Sequence, residues 1–198
     1  MAFKDNLKTW LAEIQQQYNY SHIEKAFTHL YIREFRADHE LNEQNIRLHI
    51  VDNAYDLGID AIYVSNEKDL ILIQSKYSLN DSLLQPEIDN ADKFLSAYFE
   101  LKGKKEDLIG QANKALGQIL QHEVFPEIIK GVRFIYLCGS FSSEIRSSLL
   151  NLQSKFQSGN GKEFYMELTD IPSLEALYVF IPEALTPHSG SIDPLCCE

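Results

Sequence analysis

Cysteine is too scarce in this chain to staple a fold: Cys138, Cys196 and Cys197 leave no disulfide framework. Cys138 lies in an apolar run and reads as a small buried hydrophobe, while adjacent Cys196 and Cys197 read as an inert, exposed tail. Long hydrophobic runs are missing as well. No stretch approaches the roughly 20 apolar residues of a membrane span, and Met1 to Trp10 carries lysines without the apolar segment of a secretory signal. These absences predict a cytoplasmic protein with no membrane partner. The histidines, His22, His29, His39, His49, His122 and His188, are scattered without zinc-ligand spacing, and His122 lacks the second histidine of a metalloprotease motif. No G-x-x-x-x-G-K-S/T run and no Rossmann glycine fingerprint occurs, which removes the commonest nucleotide-binding loops. Positive charge is also short, with 18 Lys and Arg against 29 Asp and Glu, a formal net charge of -11. That balance argues against an extended basic surface gripping nucleic acid by counterion release. A local cleft or a bound cation can still reverse the field where it matters.

What is present is enough apolar material for one core, 44% of 198 residues. The expected domain runs over residues 1–182, with 183–198, carrying Pro187, Gly190 and Pro194, as a tail or linker. Leu7, Trp10, Leu11 and Ile14 share a helical stripe from about Phe3 to Gln17. Ser21-His22-Ile23-Glu24 reads as a capping box opening a second helix that continues to about Phe35. Ile46, Leu48 and Ile50 alternate with Arg47 and His49, the pattern of a half-buried strand. Ile59 to Val64 and Leu70 to Tyr77 are apolar runs joined by five polar residues, a predicted hairpin. Asp81 to Leu101 and Leu108 to about Val124 read as helices, with a short, solvated basic turn at Lys102, Lys104 and Lys105 between them. Val132 to Cys138 is a strongly apolar strand, central in its sheet. A helix from Ser142 to Phe156, a strand from Glu163 to Leu168 and a short helix from Pro172 to about Phe180 follow. This order predicts an α/β sandwich around a mixed sheet.

The hairpin carries the chemistry. Strand period two puts Gln74 and Lys76 on one face, and closing the turn near Asn66 to Lys68 brings Asp60 roughly opposite them. A carboxylate, an amide and an ammonium thus cluster at the open end of an apolar hairpin, where charged residues are depleted unless paired or functional. A hard divalent cation takes oxygen ligands, which Asp60 and the Gln74 amide can supply. Such an ion polarises a phosphoryl oxygen and activates water. Lys76 adds a point charge beside the developing negative charge. Gly58 leaves room for close backbone approach. Asp52 and Asp56 read as turn residues.

The run Asp52-Asn53-Ala54-Tyr55-Asp56-Leu57-Gly58-Ile59-Asp60-Ala61-Ile62-Tyr63-Val64, followed by Ile73-Gln74-Ser75-Lys76-Tyr77, resembles the core of PD-(D/E)XK nucleases. Within that superfamily it is most similar to Mrr-like restriction endonucleases and to the N-terminal region of abortive-infection phage-resistance (AIPR) proteins. The resemblance spans about Ser21 to Tyr77. It implies a restriction-endonuclease-like three-layer sandwich, a central mixed β-sheet flanked by helices. It implies catalytic roles for Asp60, Gln74, Lys76 and a helix glutamate, with Asp60, Gln74 and that glutamate holding magnesium (Mg2+), or manganese (Mn2+) as a substitute. Glu24, just ahead of Ala26-Phe27, matches the glutamate by motif position; Glu34 is its rival by helical phase. Two departures are that Gln74 stands where most members have Asp or Glu, as in Mrr-like proteins, and that the usual proline before the aspartate is missing. The implied activity is metal-dependent hydrolysis of nucleic acid, DNA before RNA, in restriction or phage defence. A homodimer would suit cutting both strands. The alternative expectation is a nuclease-fold module that binds nucleic acid or a protein without cutting.

Overall fold

The computed structural model describes residues 3–36, 41, 43–51, 56–77, 88–90, 92–93, 95–96, 105–122, 129–159 and 163–178. The expected turn at Asp52, the basic turn at Lys102 and Lys104, and the tail from 183 onward lie outside them. The expected 81–101 helix is described only in part, and its residues 88–90, 92–93 and 95–96 are helical.

Helix α1 (Phe3–Tyr18) buries Phe3, Leu7, Leu11 and Ile14 along one stripe. It ends at Asn19, whose φ of 52° is the left-handed conformation that asparagine tolerates better than most residues. Helix α2 (Ile23–Phe35) buries every residue from Lys25 to Ile32, so it lies within the core and does not merely lean on it. The expected capping box does not form. The N-cap is His22, in extended conformation and without a side-chain cap hydrogen bond. Starting one residue later puts Glu24 at the second helical position, whereas the reciprocal bond needs it at the third.

The expected strand at Ile46 to Ile50 is instead helix α3 (Glu43–His49). The alternation was ambiguous because Ile46 and Ile50 are four apart, and so share a helical face as well as a strand face. Ile46 and Ile50 are buried, but Leu48 is 70% exposed, which fits the helix. Only at its end does the segment meet the sheet: Ile50 bridges Ala61, and the Val51 N–H donates to the Asp60 carbonyl at 2.8 Å.

The predicted hairpin is strands β1 (Ala61–Val64) and β2 (Asp69–Lys76). Ser65 organises its turn, its hydroxyl accepting from the Asp69 N–H at 3.1 Å. Helices α4 (Lys105–Gln111) and α5 (Lys114–His122) follow where one continuous helix was expected. Asn113 breaks it by capping α5, its Oδ1 accepting from the Leu116 N–H at 2.8 Å. Then come β3 (Gly131–Cys138), α6 (Ser143–Gly159), β4 (Glu163–Asp170) and α7 (Ile171–Tyr178). Asp170 caps α7 by accepting from the Ser173 N–H at 3.0 Å.

The described strands form one mixed sheet in the order β1-β2-β3-β4, antiparallel at the hairpin and parallel thereafter. Strand β3, buried at every residue but Arg133, lies inside the sheet, as its composition predicts. Alternation sorts the side chains into two cores. Ala61, Tyr63, Ile71, Ile73, Ile135 and Leu137 pack with α1, α2, Ile46 of α3 and α7. Ile62, Leu70, Leu72, Val132, Phe134 and Tyr136 face the other way, toward Ile88, Leu95, α4, α5 and α6. The sheet therefore carries helices on both faces. Among the described residues no helix is long and apolar enough to cross a membrane.

The helical assignment of α3 predicts unequal responses within its apolar residues. Ile46→Ala should cost about 2–5 kcal/mol as a buried deletion, whereas Leu48→Ala should stay within about 0.5 kcal/mol. Urea unfolding measures both; equal large losses would restore the strand.

Candidate functional site

The hairpin register decides where the polar residues meet. Ala61 pairs with Ile73, so Asp60 stands opposite Gln74, and its N–H donates to the Ile73 carbonyl at 2.8 Å. Beyond Leu70 and Leu72 on the same strand face come Gln74 and Lys76, while Ser75 turns to the opposite face beneath α2. Asp60, Gln74, Lys76 and Glu24 all line one cavity of about 340 Å3. Glu34 is not part of it. Its carboxylate pairs with Arg33 on the same helix, and because α2 is buried nearly all round, helical phase alone could not mark the functional glutamate.

Ser75 ties α2 to the hairpin. Its hydroxyl donates to the Glu24 carbonyl at 3.0 Å and accepts from the Thr28 hydroxyl at 2.7 Å. Its backbone N–H donates to Asp60 Oδ2 at 2.7 Å. One serine thus fixes both the aspartate and the turn of helix bearing Glu24. With no capping box to hold it, the Glu24 side chain lines the cavity instead.

The other Asp60 oxygen has a partner that the motif did not announce. Lys25 Nζ lies 2.6 Å from Asp60 Oδ1, with side-chain exposures of 6% and 14%. Burial pushes the Asp60 carboxyl above the usual carboxylate range; the Lys25 charge and hydrogen bond, then the Ser75 N–H, act in the opposite sense, while nearby Asp56 raises it further. A carboxylate in this position needs cationic company to stay ionised. Lys25 is that cationic partner. The sequence signal was the run Ala26 to Ile32, which has no Asp, Glu, Lys or Arg: a lysine entering so apolar a helix must find a partner.

Gln74 is 4% exposed, and among the described residues its buried amide oxygen has no hydrogen-bond partner. An unmet buried acceptor is costly, by about 1–3 kcal/mol, and this one belongs to a side chain lining the cavity shared with Asp60. Among the described residues no three His, Cys, Asp or Glu side chains form a metal-ligand cluster. The donor set here is instead two carboxylates, Asp60 and Glu24, with the Gln74 amide oxygen. Oxygen donors of this kind suit a hard divalent ion, and the orphaned amide fits that use.

Gly58 and Asn90 also line the cavity. Asp56 holds the turn, its Oδ1 accepting from the Gly58 N–H at 2.9 Å, the turn role expected of it. Gly58 has φ +77°, and a Cβ there would stand 2.9 Å from Asn90 Cβ and 3.4 Å from Gln74 Nε2. Asn90 and the exposed His22 also line the cavity. Neither was marked by the motif, because nothing in the local pattern shows which residues of distant elements close over it. Gly58→Ala should lower stability by about 1–3 kcal/mol through its left-handed backbone and the Asn90 contact. Denaturant unfolding reads this, and a variant as stable as the parent would contradict the geometry.

Comparison with protein-family models, with curated proteins and with solved structures finds no match to this chain.

Proposed function

We propose that this protein is a divalent-metal-dependent nuclease with a restriction-endonuclease-like fold, hydrolysing DNA phosphodiester bonds in restriction or phage defence. The observation that carries the reading is the buried Gln74 amide oxygen, without a hydrogen-bond partner among the described residues, in the cavity shared by Asp60, Glu24 and Lys76. The resemblance of the Gly58-Ile59-Asp60 and Gln74-Ser75-Lys76 segments to PD-(D/E)XK cores supports it, as does a mixed sheet with helices on both faces.

Asp60, Gln74 and Glu24 would hold the ion, magnesium or manganese. When bound, it supplies Lewis acidity toward a phosphoryl oxygen and activation of water. Lys76, at the end of β2, orients the scissile phosphate and stabilises charge developing on it. The rigid hairpin and the Ser75 bonds hold these groups in register, which lowers the entropic cost of alignment. A homodimer would place two such sites on a duplex.

A second reading has its own observation. The buried Lys25–Asp60 pair already neutralises the aspartate, as expected of a nuclease-fold module that binds nucleic acid or a protein partner without cutting. Plasmid cleavage separates the two. The nuclease reading predicts magnesium-dependent nicking, abolished by chelation and reduced about 100-fold or more by Lys76→Ala. Nicking by the Lys76 variant at the parent rate would remove that lysine from the mechanism. No cleavage of DNA or RNA by the parent would favour the non-cutting module.

Metal binding is testable without turnover. An ion that binds only the folded protein raises the melting temperature in step with its occupancy. Magnesium or manganese should therefore shift the melting temperature of the parent upward, and the shift should vanish in Asp60→Asn. An equal shift in the variant would place any ion elsewhere.

A further inference from the structure

Lys25 carries two electrostatic burdens and one compensation. It is 5% exposed, and it sits in the first turn of α2, where the helix dipole disfavours a cation. Asp60 is its one ion-pair partner among the described residues. The carboxylate that neutralises Lys25 is also the central ligand of the proposed ion site, so this inference rests on that reading. Asp60 Oδ2 is engaged by the Ser75 N–H and Oδ1 by Lys25. An ammonium and a divalent ion on the same carboxylate repel one another. One of them must give way, and the lysine has a place to go, because Lys25 itself lines the cavity.

We propose that Lys25 is the resident counter-cation of the site: it holds Asp60 in the metal-free protein and is displaced into the cavity when a divalent ion binds. Two consequences follow. Displacing a buried ion pair opposes metal binding, so Lys25 sets the ion concentration at which the site loads. Loading also reverses the local field. The cavity is lined by Glu24, Asp56 and Asp60 against Lys25 and Lys76, a small negative excess. A divalent ion turns that excess positive, with two lysines facing any phosphate that enters. An acidic protein would thereby attract a nucleic-acid backbone only where and when its site is loaded.

Calorimetric titration of manganese into the parent, Lys25→Gln and Asp60→Asn tests this. The parent should bind, Lys25→Gln should bind about tenfold more tightly because the competing charge is gone, and Asp60→Asn should not bind. Equal or weaker binding by Lys25→Gln, with the parent still binding, would overturn the displacement while leaving the ion site standing. No binding by the parent would overturn the ion site and the displacement with it. Because removing Lys25 strands a buried carboxylate and can impair folding, a second measurement uses the unaltered protein. Amine acylation read by peptide mass spectrometry should show Lys25 protected without metal, several-fold more reactive with manganese, and protected again after chelation. Unchanged Lys25 reactivity in protein that demonstrably binds manganese would refute the proposal.

Discussion

The Asp60 carboxylate lies where three elements converge, and the arrangement of all three depends on its being satisfied. Its backbone extends the β1–β2 ladder, Oδ2 takes the Ser75 N–H of β2, and Oδ1 takes the Lys25 ammonium of α2. A buried carboxylate without such partners would be forced toward its neutral form. Replacing either partner leaves an uncompensated charge, which in buried pairs typically costs about 3–5 kcal/mol. The pair is therefore a weak source of net stability but a strong constraint on geometry. It holds the start of α2, with Glu24, over the open end of the hairpin, with Gln74 and Lys76.

That constraint reconciles an acidic chain with a reading that involves nucleic acid. The net charge of -11 describes the whole surface, whereas chemistry on a phosphodiester depends on the field inside one cavity. There two lysines sit among three carboxylates and an amide oxygen without a partner among the described residues, so on the proposed reading a single divalent ion would decide the sign. On this view the protein has no need of an extended basic face.

The parts of the site within one hairpin were legible in the sequence, because strand periodicity and turn length together determine which residues stand opposite one another. Asp60 opposite Gln74, with Lys76 one pleat further, follows from that rule alone. The central position of β3 was legible too, since Val132 to Cys138 is apolar on both faces apart from Arg133. Helix α3 was not, because Ile46 and Ile50 satisfy helical and strand periods equally, and only the exposure of Leu48 and the burial of His49 distinguish them. The capping box failed by one residue, a shift that local pattern does not resolve. Lys25 was missed for a different reason. Its role is a contact with a residue 35 positions away, and its local signal is only that it leads an uncharged helical run. Asn90 meets Gly58 across a similar gap, from an element whose packing no short motif records.

On the proposed reading, Asp60, Gln74 and Glu24 form a binding site for a divalent ion. Crystals grown with manganese, with diffraction data collected at wavelengths around the manganese edge, address it most directly. An anomalous peak is expected about 2.0–2.6 Å from an Asp60 oxygen and from Gln74 Oε1, with the Lys25 ammonium withdrawn from Asp60. A cavity without a peak at saturating manganese, with Lys25 still bonded to Asp60, would contradict it.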